Sequence, residues 1–130
     1  MSITTLIASI AGMLFVLFGI WYAVGGKFLA KRHWIIPTIL SILFFSLSLY
    51  AVLTEGALGF WIDHTRSFWG NQIWLDLLLA ASIGWVLMVP EAKKLGMRPL
   101  PWFFLVITTG SIGYLVMLAR LLYLRENATS

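Results

Sequence analysis

The sequence predicts an all-α integral membrane protein, and three observations carry that prediction. Of the 130 residues, 61% are hydrophobic and 11% charged, whereas a soluble domain carries about 25% charged residues. The apolar residues gather in four runs, each close to the roughly 20 residues that a helix needs to cross a bilayer. The basic residues fall mostly in short segments between those runs, as the positive-inside bias places them. Four spans and their connections use nearly the whole chain. Residues 1–130 are therefore expected to form a single integral membrane domain, a four-transmembrane-helix bundle with an interfacial helix between helices 2 and 3.

The first helix is expected over residues 5–24. No basic segment precedes it and no small-residue cleavage site follows it, so it reads as a retained span rather than a signal peptide. Ala8 and Gly12 lie four apart and allow close approach of another helix. Trp21 and Tyr22 suit a membrane–water boundary, and Gly25-Gly26 ends the run. The connection Lys27–His33 holds Lys27, Lys31 and Arg32.

The second helix is expected over 34–53. Pro37 sits in its first turn, where a missing N–H costs little. Thr38, Ser41 and Ser48 share one face and can satisfy carbonyls or a neighbouring helix. The connection Thr54–Gln72 then interleaves Phe60, Trp61, Phe68 and Trp69 with Asp63, His64 and Arg66. Trp61, His64 or Thr65, and Phe68 recur at helical spacing, the pattern of a short helix lying in the membrane interface. Gly56, Gly59 and Gly70 are its expected hinges.

The third helix is expected over 73–90 and carries Asp76 about one turn inside its first end. The basic segment Glu91–Pro101 follows, with Lys93, Lys94 and Arg98; Pro99 and Pro101 set the entry to a fourth helix over 102–124. Thr109 and Gly113 form a small-residue pair there, with Gly110 beside them. Lys27, Lys31, Arg32, Lys93, Lys94 and Arg98 outnumber Arg66, Arg120 and Arg125 by six to three. That balance places loops 1 and 3 in the cytoplasm and both termini outside, in a multi-pass membrane protein.

An acid inside a span needs a partner or a job. With helices 3 and 4 antiparallel, Asp76 and Arg120 lie roughly 21 and 27 Å from the cytoplasmic side at about 1.5 Å per residue. Arg can snorkel across the difference, so a structural ion pair between Asp76 and Arg120 is expected. Contact with a partner subunit or headgroup, and catalysis or transport, are the other roles open to the acid. An enzyme reading rests on Asp76 with Glu55 or Asp63: two carboxylates in an apolar site form an acid/base pair when burial raises one pKa. Trp61, Trp69, Trp74 and Trp85 would supply faces for an isoprenoid carbocation.

Trp61, His64, Phe68 and Trp69 are candidates for interfacial contact with a partner or ligand. His33 and His64 are weak candidates for holding a cofactor such as a pigment magnesium. No metal site is expected, since the chain has no Cys and no metal-ligand cluster. No basic–aromatic nucleic-acid reader is present, no phosphate-binding glycine loop, and no Lys within a helix to form a retinal Schiff base.

The segments Asp76-Leu77-Leu78-Leu79, Glu91-Ala92-Lys93-Lys94-Leu95-Gly96-Met97-Arg98, Gly110-Ser111-Ile112-Gly113 and Tyr123-Leu124-Arg125-Glu126 resemble the shared pattern of small bacterial integral membrane proteins grouped as a family of unknown function. The resemblance covers Trp74 to Glu126. It implies a bacterial inner-membrane four-helix bundle and brings no activity. The leading functional expectation is a small non-enzymatic accessory subunit of a larger membrane complex, packing against partner helices, lipid or pigment. The alternative is a membrane-embedded enzyme acting on a lipophilic, isoprenoid-like substrate.

Overall fold

The computed structural model describes residues 2–26 and 33–128. Their regular structure is helical throughout: α1 Ile3–Ala23, α2 Ile35–Glu55, α3 Gly59–Thr65, α4 Phe68–Lys94, α5 Pro99–Thr109 and α6 Ser111–Ala128. α1, α2 and α4 are long and apolar enough to cross a membrane; α5 is apolar but has only 11 residues. The basic stretch Lys27–Arg32 lies outside the described residues. The chain divides into two compact units, Met1–Lys31 and Arg32–Ser130.

The first unit is one helix. The Ser2 side chain caps it, accepting from the Thr5 N–H at 3.2 Å. It has a mean hydropathy of 2.3 over its span window, and among the described residues of its unit no second helix covers its apolar surface. At its end Phe18 stacks on Tyr22 at 5.9 Å and tilts against Trp21 at 6.0 Å. The Gly26 N–H closes the last turn onto the Trp21 carbonyl.

The second unit holds the packed core, and α6 is its centre. Gly113, Met117, Ala119, Leu121 and Leu122 are buried there, Met117 completely. α6 runs antiparallel to α2: Ser41 Oγ donates to the Ile112 carbonyl at 3.0 Å near one end, and Trp34 meets Tyr123 edge-on at 5.5 Å near the other. It runs parallel to α4. The Tyr114 hydroxyl donates to the Ala81 carbonyl, and farther along both helices Arg125 pairs with Glu91 at 3.2 Å. The start of α2, the end of α4, the start of α5 and the end of α6 therefore share one end of this unit.

The single helix expected over 102–124 is corrected by this arrangement. The chain makes two helices there and reverses at Gly110, whose φ of 64° and ψ of −129° fall where a side chain would be strained. Gly113 proves the reversal. A Cβ at that position would lie 2.8 Å from the Leu105 carbonyl oxygen; in a straight helix the two residues would be about 12 Å apart. Polar backbone in the reversal is satisfied locally: Gly110 N–H donates to Val106 O at 2.7 Å and Tyr114 N–H to Gly110 O at 3.2 Å.

Ser41 is 4% exposed, and its hydroxyl ties α2 to the first turn of α6. Hydrogen bonds between membrane helices average about 0.6 kcal/mol. Ser41→Ala is therefore expected to cost about 0.5–1.5 kcal/mol, read as a small drop in the thermal midpoint in detergent. An unchanged midpoint would show that this bond adds nothing beyond packing.

The third helix starts earlier and ends later than expected. Ser67 caps it, accepting from Gly70 N–H at 3.1 Å, and Phe68 and Trp69 become its first residues. Pro90 does not stop it, because a proline removes only its own donor and crowds the preceding turn. The residues after it stay helical, with Lys94 reaching back to Glu91 at 3.2 Å and Lys93 and Lys94 at the negative end of the helix dipole. The stop comes at Gly96, with φ 80°. Gly96 N–H bonds Lys93 O and Met97 N–H bonds Ala92 O, the paired bonds of a Schellman cap, with Met97 and Ala92 buried together.

Candidate functional site

The predicted site residues lie mainly where α3 turns into α4. The turn is tight because Gly70 is buried against α3: a Cβ there would meet the Asp63 carbonyl oxygen at 2.3 Å. Asn71 Nδ2 donates to the His64 carbonyl at 2.7 Å and secures the same corner. Trp74, one turn on, is the hub of an aromatic cluster. Its ring lies 5.3 Å from His64, 6.3 Å from Phe60 and 6.4 Å from Trp61, the last edge-to-face.

Sequence spacing put Trp61, His64, Phe68 and Trp69 on one interfacial face. The structure divides them. Trp61 and His64 belong to α3 and turn their rings to Trp74. Phe68 and Trp69 belong to the first turn of α4 and are 93% and 76% exposed. Trp74 was legible only as one aromatic among several, because its role depends on α3 folding over it. His64 Nδ1 engages the Phe60 carbonyl; a carbonyl only accepts, so Nδ1 carries the hydrogen and Nε2 is the nitrogen left for any ligand. His33 lies just ahead of α2, in the turn closed by Ile36 N–H on its own carbonyl at 3.2 Å.

The acids do not converge. Asp63 pairs with Arg66 at 3.3 Å on an exposed turn, and Glu55 is the last residue of α2. Asp76 is exposed on α4. The expected Asp76–Arg120 pair is not formed among the described residues, whose ion pairs include Arg66–Asp63, Lys94–Glu91 and Arg125–Glu91. The reason is the reversal at Gly110. Because α6 runs parallel to α4, Arg120 lies on the Glu91 side of the Tyr114–Ala81 contact, about 16 Å along the axis from Asp76. Its guanidinium sits 5.8 Å from the centre of the Tyr123 ring instead.

A polar cluster that spacing did not reveal lies at the opposite end. Glu91 accepts from Lys94 Nζ and from Arg125, each at 3.2 Å. It joins the end of α4 to the end of α6, with the Trp34–Tyr123 edge contact on the neighbouring α2. The i, i+3 spacing of Glu91 and Lys94 was visible in the sequence; the Arg125 contact was not, since a straight fourth helix carries Arg125 to the far side.

No family model, curated protein or solved structure matches the chain.

Proposed function

We propose that this protein is a small non-enzymatic subunit of a larger complex in a bacterial inner membrane. Its apolar helices pack against partner helices and against lipid or a bound pigment. The observation that carries the reading is Asp76. It lies inside a membrane-length helix, exposed and with no ion pair among the described residues. An uncompensated Asp in a span costs about 2.5–3.5 kcal/mol at the bilayer centre on insertion scales. A cation or hydrogen-bond donor on a partner helix removes that cost.

The test is purification in gentle detergent of wild type, Asp76→Glu and Asp76→Leu, each compared for co-purifying membrane proteins and absorbing cofactors. The wild type and Asp76→Glu are expected to retain a stoichiometric partner that Asp76→Leu loses. A colourless lone monomer from the wild type, or retention by Asp76→Leu, overturns the reading.

A further inference from the structure

The α5–α6 hairpin decides where the positive charge sits. α5 has 11 residues, about 16 Å of helix, against a hydrocarbon core of about 30 Å. Starting beside the end of α4, it reaches only about halfway across before Gly110 turns the chain back. Trp85 on α4 packs against Phe103 on the way in, at 5.1 Å, and against Tyr114 on the way out, at 6.3 Å. Non-helical backbone at such a depth is tolerated only where protein covers or satisfies it. Here the Ile112 carbonyl receives Ser41, and Thr109 Oγ1 donates to Leu105 O at 2.6 Å.

The return limb has 18 residues, so α6 outruns α5 and its last turns clear the apolar layer. That places Arg120 near the boundary, where its stem can snorkel beside Tyr123, and Arg125 on Glu91. Lys93, Lys94, Arg98, Arg120 and Arg125 then share one end, against Glu91 and Glu126. The other end holds Arg66 with Glu55 and Asp63. Among the described residues, five of the six Lys and Arg thus belong to one end, in place of the even division of those six that a straight fourth helix implies.

We propose that residues 99–128 form a re-entrant hairpin that enters and leaves through the cytoplasmic leaflet, and that the basic end it completes is a surface for anionic phospholipid headgroups. Within Arg32–Ser130 the chain then crosses the bilayer twice, through α2 and α4, and the end of α6 lies inside, which replaces the expectation that the C-terminus faces outward. Juxtamembrane Lys and Arg are attracted to anionic lipid by about 1 kcal/mol each, and Trp34 and Tyr123 supply boundary aromatics at the same level.

The chain contains no Cys, so single cysteines report topology without a background. Leu58→Cys, Leu100→Cys, Asn127→Cys and Ala128→Cys, all at exposed positions, are treated with a membrane-impermeant maleimide in right-side-out and inverted inner-membrane vesicles. The proposal expects positions 100, 127 and 128 to label only in inverted vesicles and position 58 only in right-side-out ones. Labelling of 127 and 128 together with 58 overturns it, and two C-terminal positions keep the result readable if one variant folds poorly. For the headgroups, protein from vesicles of equal phosphatidylglycerol and phosphatidylcholine is weighed by native mass spectrometry. Wild type should retain phosphatidylglycerol preferentially, and Lys93→Gln/Lys94→Gln/Arg98→Gln should lose the preference; equal retention by wild type overturns the lipid surface. Neither result depends on a partner subunit.

Discussion

Gly113→Ala should destabilise the protein by about 1–3 kcal/mol, the usual cost of overpacking a filled site. In an isolated helix the same change would stabilise by about 0.5–1 kcal/mol. The sign inverts because the new Cβ would meet Thr109 Oγ1 at 2.6 Å and the Leu105 carbonyl oxygen at 2.8 Å. A flexible side chain could swing away, but Leu105 O belongs to the backbone of α5. Relief therefore requires the two limbs of the hairpin to separate, which loosens the burial of Met117 and the Ser41 bond to Ile112. Gly113→Leu should prevent the hairpin from closing altogether. Gly84→Ala is the control, since its Cβ would lie 3.5 Å from the Tyr114 hydroxyl, an ordinary contact. Thermal unfolding in detergent should rank wild type with Gly84→Ala, then Gly113→Ala, then Gly113→Leu. If Gly113→Ala melts with Gly84→Ala, α5 and α6 do not fold back on each other.

The second large effect is expected at Gly70. Its added Cβ would come within 2.3 Å of the Asp63 carbonyl oxygen and 3.1 Å of His64 backbone atoms. None of these can move unless α3 lifts off α4. Gly70→Ala should cost about 1–3 kcal/mol and release Phe60, Trp61 and His64 from Trp74. The near-ultraviolet circular dichroism should weaken while the far-ultraviolet signal stays near wild type, because α4 itself remains intact. A variant with the wild-type aromatic signal would refute the tight corner. The loss should be smaller than that of Gly113→Leu, since the corner involves one short helix and the hairpin is the core of the unit.

Much of the helical inventory was legible because hydropathy reads length and polarity directly. Residues 5–24 and 34–53 stand against Ile3–Ala23 and Ile35–Glu55, and a short helix does lie between the second and third long runs. The longer α4 was not anticipated, because hydropathy does not read the Ser67 cap or the Glu91–Lys94 pair that extend it. Nor was the break at Gly110, because glycine is common in straight membrane helices. Thr108-Thr109-Gly110-Ser111 interrupts the apolar run, and Arg120 lies deep for a crossing helix. Each feature alone is compatible with a span.

The candidate site followed the same division. Residue types marked Asp76 as an acid needing compensation and His64 and Trp61 as members of an aromatic segment. The pairing of Asp76 with Arg120 rested on an antiparallel neighbour and failed with it. Trp74 became a hub, and Glu91 a junction, only through contacts made by other helices.

By itself, the sequence determined that this is a helical protein with membrane-length apolar segments, and which residues are costly to leave in lipid. Those properties are sums over local composition, so they need no knowledge of neighbours. Tertiary structure alone decided that the fourth apolar run reverses and that Arg125 meets Glu91. The physical reason is that Gly113 can lie against Leu105 only when both limbs are present. A straight helix and a hairpin bury similar apolar residues, and contact between backbones chooses between them.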